Sequence, residues 1–142
     1  MPSEFIPKSV RVLVESRAQG YCKYCYSPEV VATDRFAIEH ILPRVSGGQS
    51  NIENLAWSCL GCNSYKHVKT HAIDPQTGNT VSLFHPRQHR WSDHFIWGET
   101  ITYVIGITPI GRATVKALQL NRIGVVNLRS LLCVVGKHSP MS

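Results

Sequence analysis

No stretch of the 142-residue chain approaches the roughly 18 consecutive apolar residues of a membrane-spanning helix, so a helical membrane protein is excluded. The opening stretch MPSEFIPKSVRVLVESR lacks a cationic patch followed by an apolar core. No secretory leader is therefore expected, and a cytoplasmic location is. There is no internal repeat and no low-complexity tract, which sets aside solenoids and disordered linkers. Charged residues are sparse at 17%, against 43% hydrophobic, which is the composition of a folding chain. Acidic residues are the scarcest charged class: nine Asp and Glu face fifteen Lys and Arg, a net charge of +6. That bias favours a polyanionic partner, nucleic acid first, although a basic surface with no partner has the same composition.

Five cysteines without an export signal do not suggest a disulfide framework. Their spacing says more than their number. Cys22-Lys-Tyr-Cys25 is one CxxC and Cys59-Leu-Gly-Cys62 is a second. Together they supply four thiolates, the tetrahedral set of a structural zinc site. One CxxC alone could be a redox motif; two in a small chain read as zinc. The 33 residues between the knuckles exceed the spacing of a plain zinc ribbon, so a small motif is clipped between them. Cys133, in the apolar run LLCVVG, reads as a buried core thiol.

Residues 8–18 read as a short helix ended by Gly20. Residues 35–42 read as a strand with Phe36, Ile38 and Ile41 inward, stopped by Pro43. Residues 46–51 are loop chemistry, and residues 55–58 can form a second strand. A helix is expected from Asn63 to about His71. Further on, Trp91 to Trp97 and Thr100 to Ile107 read as strands joined across Gly98-Glu99, a hairpin. Thr108-Pro109 starts a helix reaching about Asn121, and Val125 to Val135 is another. The length fits one domain, 1–142, with a zinc-clipped half at about 8–71 and a packing half at about 80–136. Residues 72–80 are the one plausible joint between them.

Chemistry concentrates between the knuckles. Glu39 and His40 are adjacent, so in a regular strand they point to opposite faces, although a distorted strand end could bring both to one site. A carboxylate is a hard ligand that suits Mg²⁺ or Mn²⁺, and a neutral imidazole can take a proton from water. Asn54 follows, then Asn63, Lys66 and His67, which share one face if their segment is helical. Each has an ordinary explanation when taken singly: a strand-edge dipeptide, a turn amide, a helix cap, a solvated charge. The combination is the signal.

The string Cys22-x-x-Cys25, Glu39-His40-Ile41-x-Pro43, Gly47-Gly48, Asn54-Leu55, Cys59-x-x-Cys62-Asn63-x-x-Lys66 resembles the zinc-binding subclass of the HNH endonucleases over about residues 17–68. The resemblance implies an α+β fold: a ββα-metal unit clipped by a four-cysteine zinc site, followed by a hairpin and C-terminal helices. It implies a metal-dependent endonuclease acting on phosphodiester bonds in DNA, with RNA left open. His40 would be the general base, Asn54 would brace its loop, and Glu39 and Asn63 would hold the catalytic ion. His67 stands one turn later, where some members place a further metal-binding histidine. The chain reads H-N-N and not H-N-H, which favours Mg²⁺ or Mn²⁺, with Ni²⁺ or Co²⁺ entering if His67 reaches the ion. Cys22, Cys25, Cys59 and Cys62 would hold a structural Zn²⁺, and Lys66, Arg44, Arg35 and Lys69 could hold flanking phosphates. A non-catalytic zinc-stapled nucleic-acid-binding module is the alternative. The sequence does not specify oligomeric state or target.

The segment from His85 to His94 gathers several cations and Trp91, and could track a nucleic-acid backbone. Its other reading, which we favour, is a polar loop whose tryptophans pack the core. The strings PR-x-x-x-WSDHF and TPIGRATV are similar to the tails of compact HNH proteins of bacteria, a likeness that assigns the tail no role.

Overall fold

In the computed structural model, which describes residues 6–138, helix α1 (Lys8–Arg17) opens the chain. Val10, Val14 and Ala18 recur at helical spacing and turn inward, with Val14 fully buried. Gln19 and Gly20, both at positive φ, end the helix and turn the chain into the first knuckle. Strand β1 (Ala37–His40) pairs antiparallel with β2 (Leu55–Ser58), setting Glu39 opposite Ala56 and His40 opposite Leu55.

Helix α2 is Leu60–Lys66, and so begins and ends earlier than its polar pattern suggested. Cys59 caps it, accepting from the Cys62 amide, so the second knuckle is itself the first turn. His67, at φ 48, lies beyond the last turn and does not share a helical face with Asn63 and Lys66.

Strands β3 (His71–Ile73) and β4 (Thr80–Ser82) form a hairpin across residues 72–80. The expected joint is thus an ordered turn. The buried Asp74 carboxylate caps it by accepting from Gln76 and Thr77, and takes two bonds of 2.9 Å from Arg112. Arg112 holds the Asp74 carboxyl far below the usual carboxylate range, and the turn's own donors add to this against the cost of burial.

The expected strand from Trp91 begins instead as one helical turn, α3 (Trp91–His94), followed by β5 (Phe95–Trp97). Trp91 and Phe95 are four apart and their rings lie 5.0 Å from each other, a helical pairing that alternate-residue reading mistakes for a strand. Strand β6 (Val104–Gly106) pairs with β5 across a loop far longer than two residues, in which Ile101 takes positive φ. Thr108 caps α4 (Pro109–Ala117) through the Gly111 amide. The helix stops short of Asn121 because that side chain pairs with both backbone groups of Val104 and extends the β6 edge. Helix α5 (Ile123–Val134) follows, and Cys133 on it is only half-buried, not a core thiol.

The core runs from α1 and β2 through the cysteines to Phe84, Trp91, Phe95, Leu118 and Leu120. Among the described residues, no helix is long and apolar enough to cross a membrane.

Candidate active site and metal centre

The four knuckle cysteines meet in the core. Their Sγ atoms all lie within 4.8 Å of one another, and Cys25 and Cys59 are 3.7 Å apart. Tetrahedral zinc with bonds of about 2.3 Å separates its sulfurs by about 3.8 Å, so the set fits that ion. Each knuckle aims a backbone amide at sulfur: Tyr24 N to Cys22 and Cys62 N to Cys59, both at 3.4 Å. Arg122, at the foot of α5, donates to Cys59 (3.5 Å) and Cys62 (3.6 Å), offsetting charge on the thiolates. Burial pushes the Cys22 thiol up, hydrogen bonding to the other thiols pushes Cys62 up, and the same kind of bonding holds Cys25 well down. Unmetallated, the cluster would share protons unevenly.

His40 ends β1 at the rim of an open cleft of about 320 Å³ that is also lined by Arg44, Asn63 and His67. Its Nε2 lies 2.7 Å from the Ser50 hydroxyl, which orients the ring. The loop between β1 and β2 is tied to itself by Asn54. The Leu42 amide donates to Asn54 Oδ1 (2.8 Å), and Nδ2 donates to the carbonyls of Leu42 (3.0 Å) and Gln49 (2.9 Å). The loop closes so tightly that a Cβ on Gly48 would collide with the Leu42 carbonyl. Only glycine fits there.

Glu39 lines the same cleft but buries its carboxylate. It is 3% exposed, with Oε1 accepting from Tyr24 (2.6 Å) and Oε2 ion-paired with Lys66 Nζ (2.6 Å). Lys66, 1% exposed, also donates to the Ile41 carbonyl at 2.8 Å. Burial, then the Glu39 charge, raises Tyr24 well above its ordinary range and keeps it a neutral donor. One sequence expectation changes here. Lys66 is not a solvated cation and cannot meet a flanking phosphate. Glu39 lines the same cleft as His40, Asn63 and His67, and its carboxylate is held there by Tyr24 and Lys66. Among the described residues, the four cysteines are the one His, Cys, Asp or Glu cluster built to hold a metal.

Of the other expected phosphate contacts, Arg44 lines the cleft and Lys69 is exposed, donating to the Tyr65 carbonyl. Arg35 is exposed and already engaged by Glu15 (2.9 Å) and Glu29 (3.4 Å). Sequence reading missed a different basic group. Arg17 donates to the carbonyls of Ile52 (2.7 Å) and Leu55 (2.6 Å), beside the loop that carries Ser50. Trp91 donates to the Tyr24 carbonyl and packs edge-on against Tyr26, docking the 85–91 segment on the first knuckle. This brings Arg87 into the field of Arg17 and Lys23, and both are lowered first by burial and then by that charge. The signal was present as Arg87 in the basic segment, but its neighbours come from elements far away in sequence. The histidines of that segment largely close its turn. His85 Nδ1 accepts from the amides of Arg87 and Gln88, and His89 Nδ1 accepts from that of His85.

Residues 22–69, about a third of the chain, match the family model described as HNH endonuclease. No curated protein matches the chain. The matched segment contains both knuckles, the β1–β2 pair, the loop braced by Asn54, and α2.

Proposed function

We propose that this chain, whose residues 22–69 carry an HNH endonuclease domain, hydrolyses phosphodiester bonds in DNA with His40 as general base. The observation that carries the reading is His40 at the rim of an open cleft, its ring held by Ser50 and its loop closed by Asn54. In this reading β1, β2 and α2 form the ββα-metal unit, and the four cysteines bind a structural zinc.

His40 Nε2 is already aimed at a hydroxyl oxygen. An attacking water that takes the place of the Ser50 hydroxyl at this nitrogen would give up its proton to the neutral imidazole as it approaches phosphorus. Asn54 keeps the loop from drifting, and Gly48 allows its close turn. Arg44 at the cleft, with Lys69, Arg17, Lys23 and Arg87 outside it, would neutralise the flanking phosphates and select no base. A divalent ion, Mg²⁺ or Mn²⁺, is implied by the family. Asn63 and His67 are the cleft donors outside the Glu39–Lys66 ion pair that would hold it, and it would supply charge stabilisation at the phosphate.

The ion pair that engages Glu39 favours the second reading, a zinc-stapled binding module without catalysis. Supercoiled plasmid separates the two. Zinc-loaded protein is incubated with Mg²⁺ or Mn²⁺ and with EDTA, beside His40→Ala of equal zinc content. Nicking or linearisation that needs the ion and the histidine is the expected result. Salt-dependent binding with no cleavage would select the binding module.

A further inference from the structure

The most unusual feature outside the zinc cluster is a buried triad on the back of β1. Tyr24, Glu39 and Lys66 come from the first knuckle, the strand and the helix, and none exceeds 3% exposure. Both Glu39 oxygens are taken, by a phenol at 2.6 Å and an ammonium at 2.6 Å. The ammonium also donates to the carbonyl of Ile41 at 2.8 Å. Lys66 therefore grips the chain on both sides of His40, through the side chain before it and the carbonyl after it.

A dication at this carboxylate would have to displace the ammonium or sit against it. The displaced ammonium would stay buried with its counterion gone, a state proteins avoid. Nothing in the surroundings offers Lys66 a second carboxylate: the ion pair with Glu39 is its salt bridge among the described residues.

We infer that Glu39 is a positioning residue for His40 and not a ligand of a divalent ion, with Lys66 as its fixed countercation. Tyr24 completes the seat. The positioning half rests on the nuclease reading; the ligand half stands without it.

The test uses zinc-loaded, full-length protein, with Mn²⁺ alone as the probe and its binding followed by electron paramagnetic resonance. Glu39→Gln and Lys66→Met are compared with wild type. The double variant removes both charges and so keeps a folded reference if either single variant fails. Mn²⁺ affinity is expected to stay within about twofold throughout. A tenfold loss in Glu39→Gln, or a tenfold gain in Lys66→Met, would overturn the ligand half, because a true ligand weakens on neutralisation and tightens when its competitor leaves. Absence of Mn²⁺ binding even in Lys66→Met upholds it, since a freed Glu39 has then gained no ion.

For the positioning half, the nuclear Overhauser contact between the His40 ring and Ser50 is expected to weaken in both single variants. The plasmid assay is expected to show kcat down about tenfold with KM unchanged, equivalent to one decade of misplacement at the base. An intact contact and an unchanged kcat in a variant with lowered melting temperature would reduce the triad to a stabilising element and overturn this half. If wild type cleaves nothing, the nuclease reading fails by itself, while the Mn²⁺ and Overhauser measurements still decide the assignment.

Discussion

Asn54 carries three hydrogen bonds on one side chain, all to the backbone of the loop that follows His40. At about 1 kcal/mol net for each bond, Asn54→Ala is expected to cost about 2–3 kcal/mol, read by urea unfolding. It should also lower cleavage more than it lowers DNA binding, because the side chain touches the loop and not the cleft cations. His40→Ala is expected to behave oppositely: stability nearly unchanged and cleavage down by about 10²–10⁴. A stability loss in His40→Ala as large as that of Asn54→Ala would mean the imidazole serves the fold. Glu39 shows what a residue-level reading cannot supply. Its adjacency to His40 was visible, and so was the rule that strand neighbours face apart. That its carboxylate is paired depended on where α2 packs, and on a lysine 27 positions away in the sequence.

Elements whose ends are marked by local chemistry were legible. β2 spans the residues read from sequence, Thr108-Pro109 starts α4, and α5 covers the last apolar run. Elements shaped by distant partners were not. α4 ends early because Asn121 is drawn to Val104, and Trp91 begins a helical turn because it stacks on Phe95 while its indole reaches Tyr24. The zinc knuckles were readable because metal-ligand spacing is local, whereas the Arg122 contacts to their sulfurs span about 60 residues. The 85–94 segment carries an expectation of its own. Burial, then the neighbouring His89, lowers the His85 and His94 pKa below the ordinary histidine value. A depressed folded value means that the neutral ring is favoured in the fold. The stability this provides is present above the unfolded histidine value of about 6.5 and is lost as pH falls through the lower folded value. His85 Nδ1 must also stay unprotonated to accept from two amides. The melting temperature is therefore expected to fall between pH 7 and pH 5, and His85→Asn, which keeps an acceptor without titrating, should flatten that slope. An unaltered slope in the variant would assign the acid sensitivity to other groups.

At the scale of the whole molecule, the zinc site and the C-terminal helices are built as one structure. Arg122 donates to two knuckle sulfurs, and Arg129, 2% exposed, donates to the carbonyls of Cys25, Thr102 and Leu120 while lying over the Trp97 ring. Arg112 reaches back from α4 to Asp74. The bonds to the two sulfurs and to the Cys25 carbonyl cross from the packing half to the half that carries the site. The knuckle cysteines lie within the same apolar cluster as Val14, Phe84 and Leu118, so an ion held by them would sit at the centre of the core and not in a peripheral lobe. Two measurable consequences follow. Chelation at neutral pH is expected to abolish the cooperative thermal transition of the entire chain, including the α4 and α5 signal, because structural zinc supplies folding free energy to a core of this size. Cys59→Ala is expected to do the same without chelator, since it removes both a thiolate and the side-chain cap of α2. Hydrogen exchange gives the sharper reading. If the halves were independent, amides of α5 would keep their protection after chelation while those of β1 and β2 lost it. With Arg122 and Arg129 bridging the two, protection in α5 should collapse together with that in the β1–β2 pair, and Arg129→Met should uncouple them even in zinc-loaded protein.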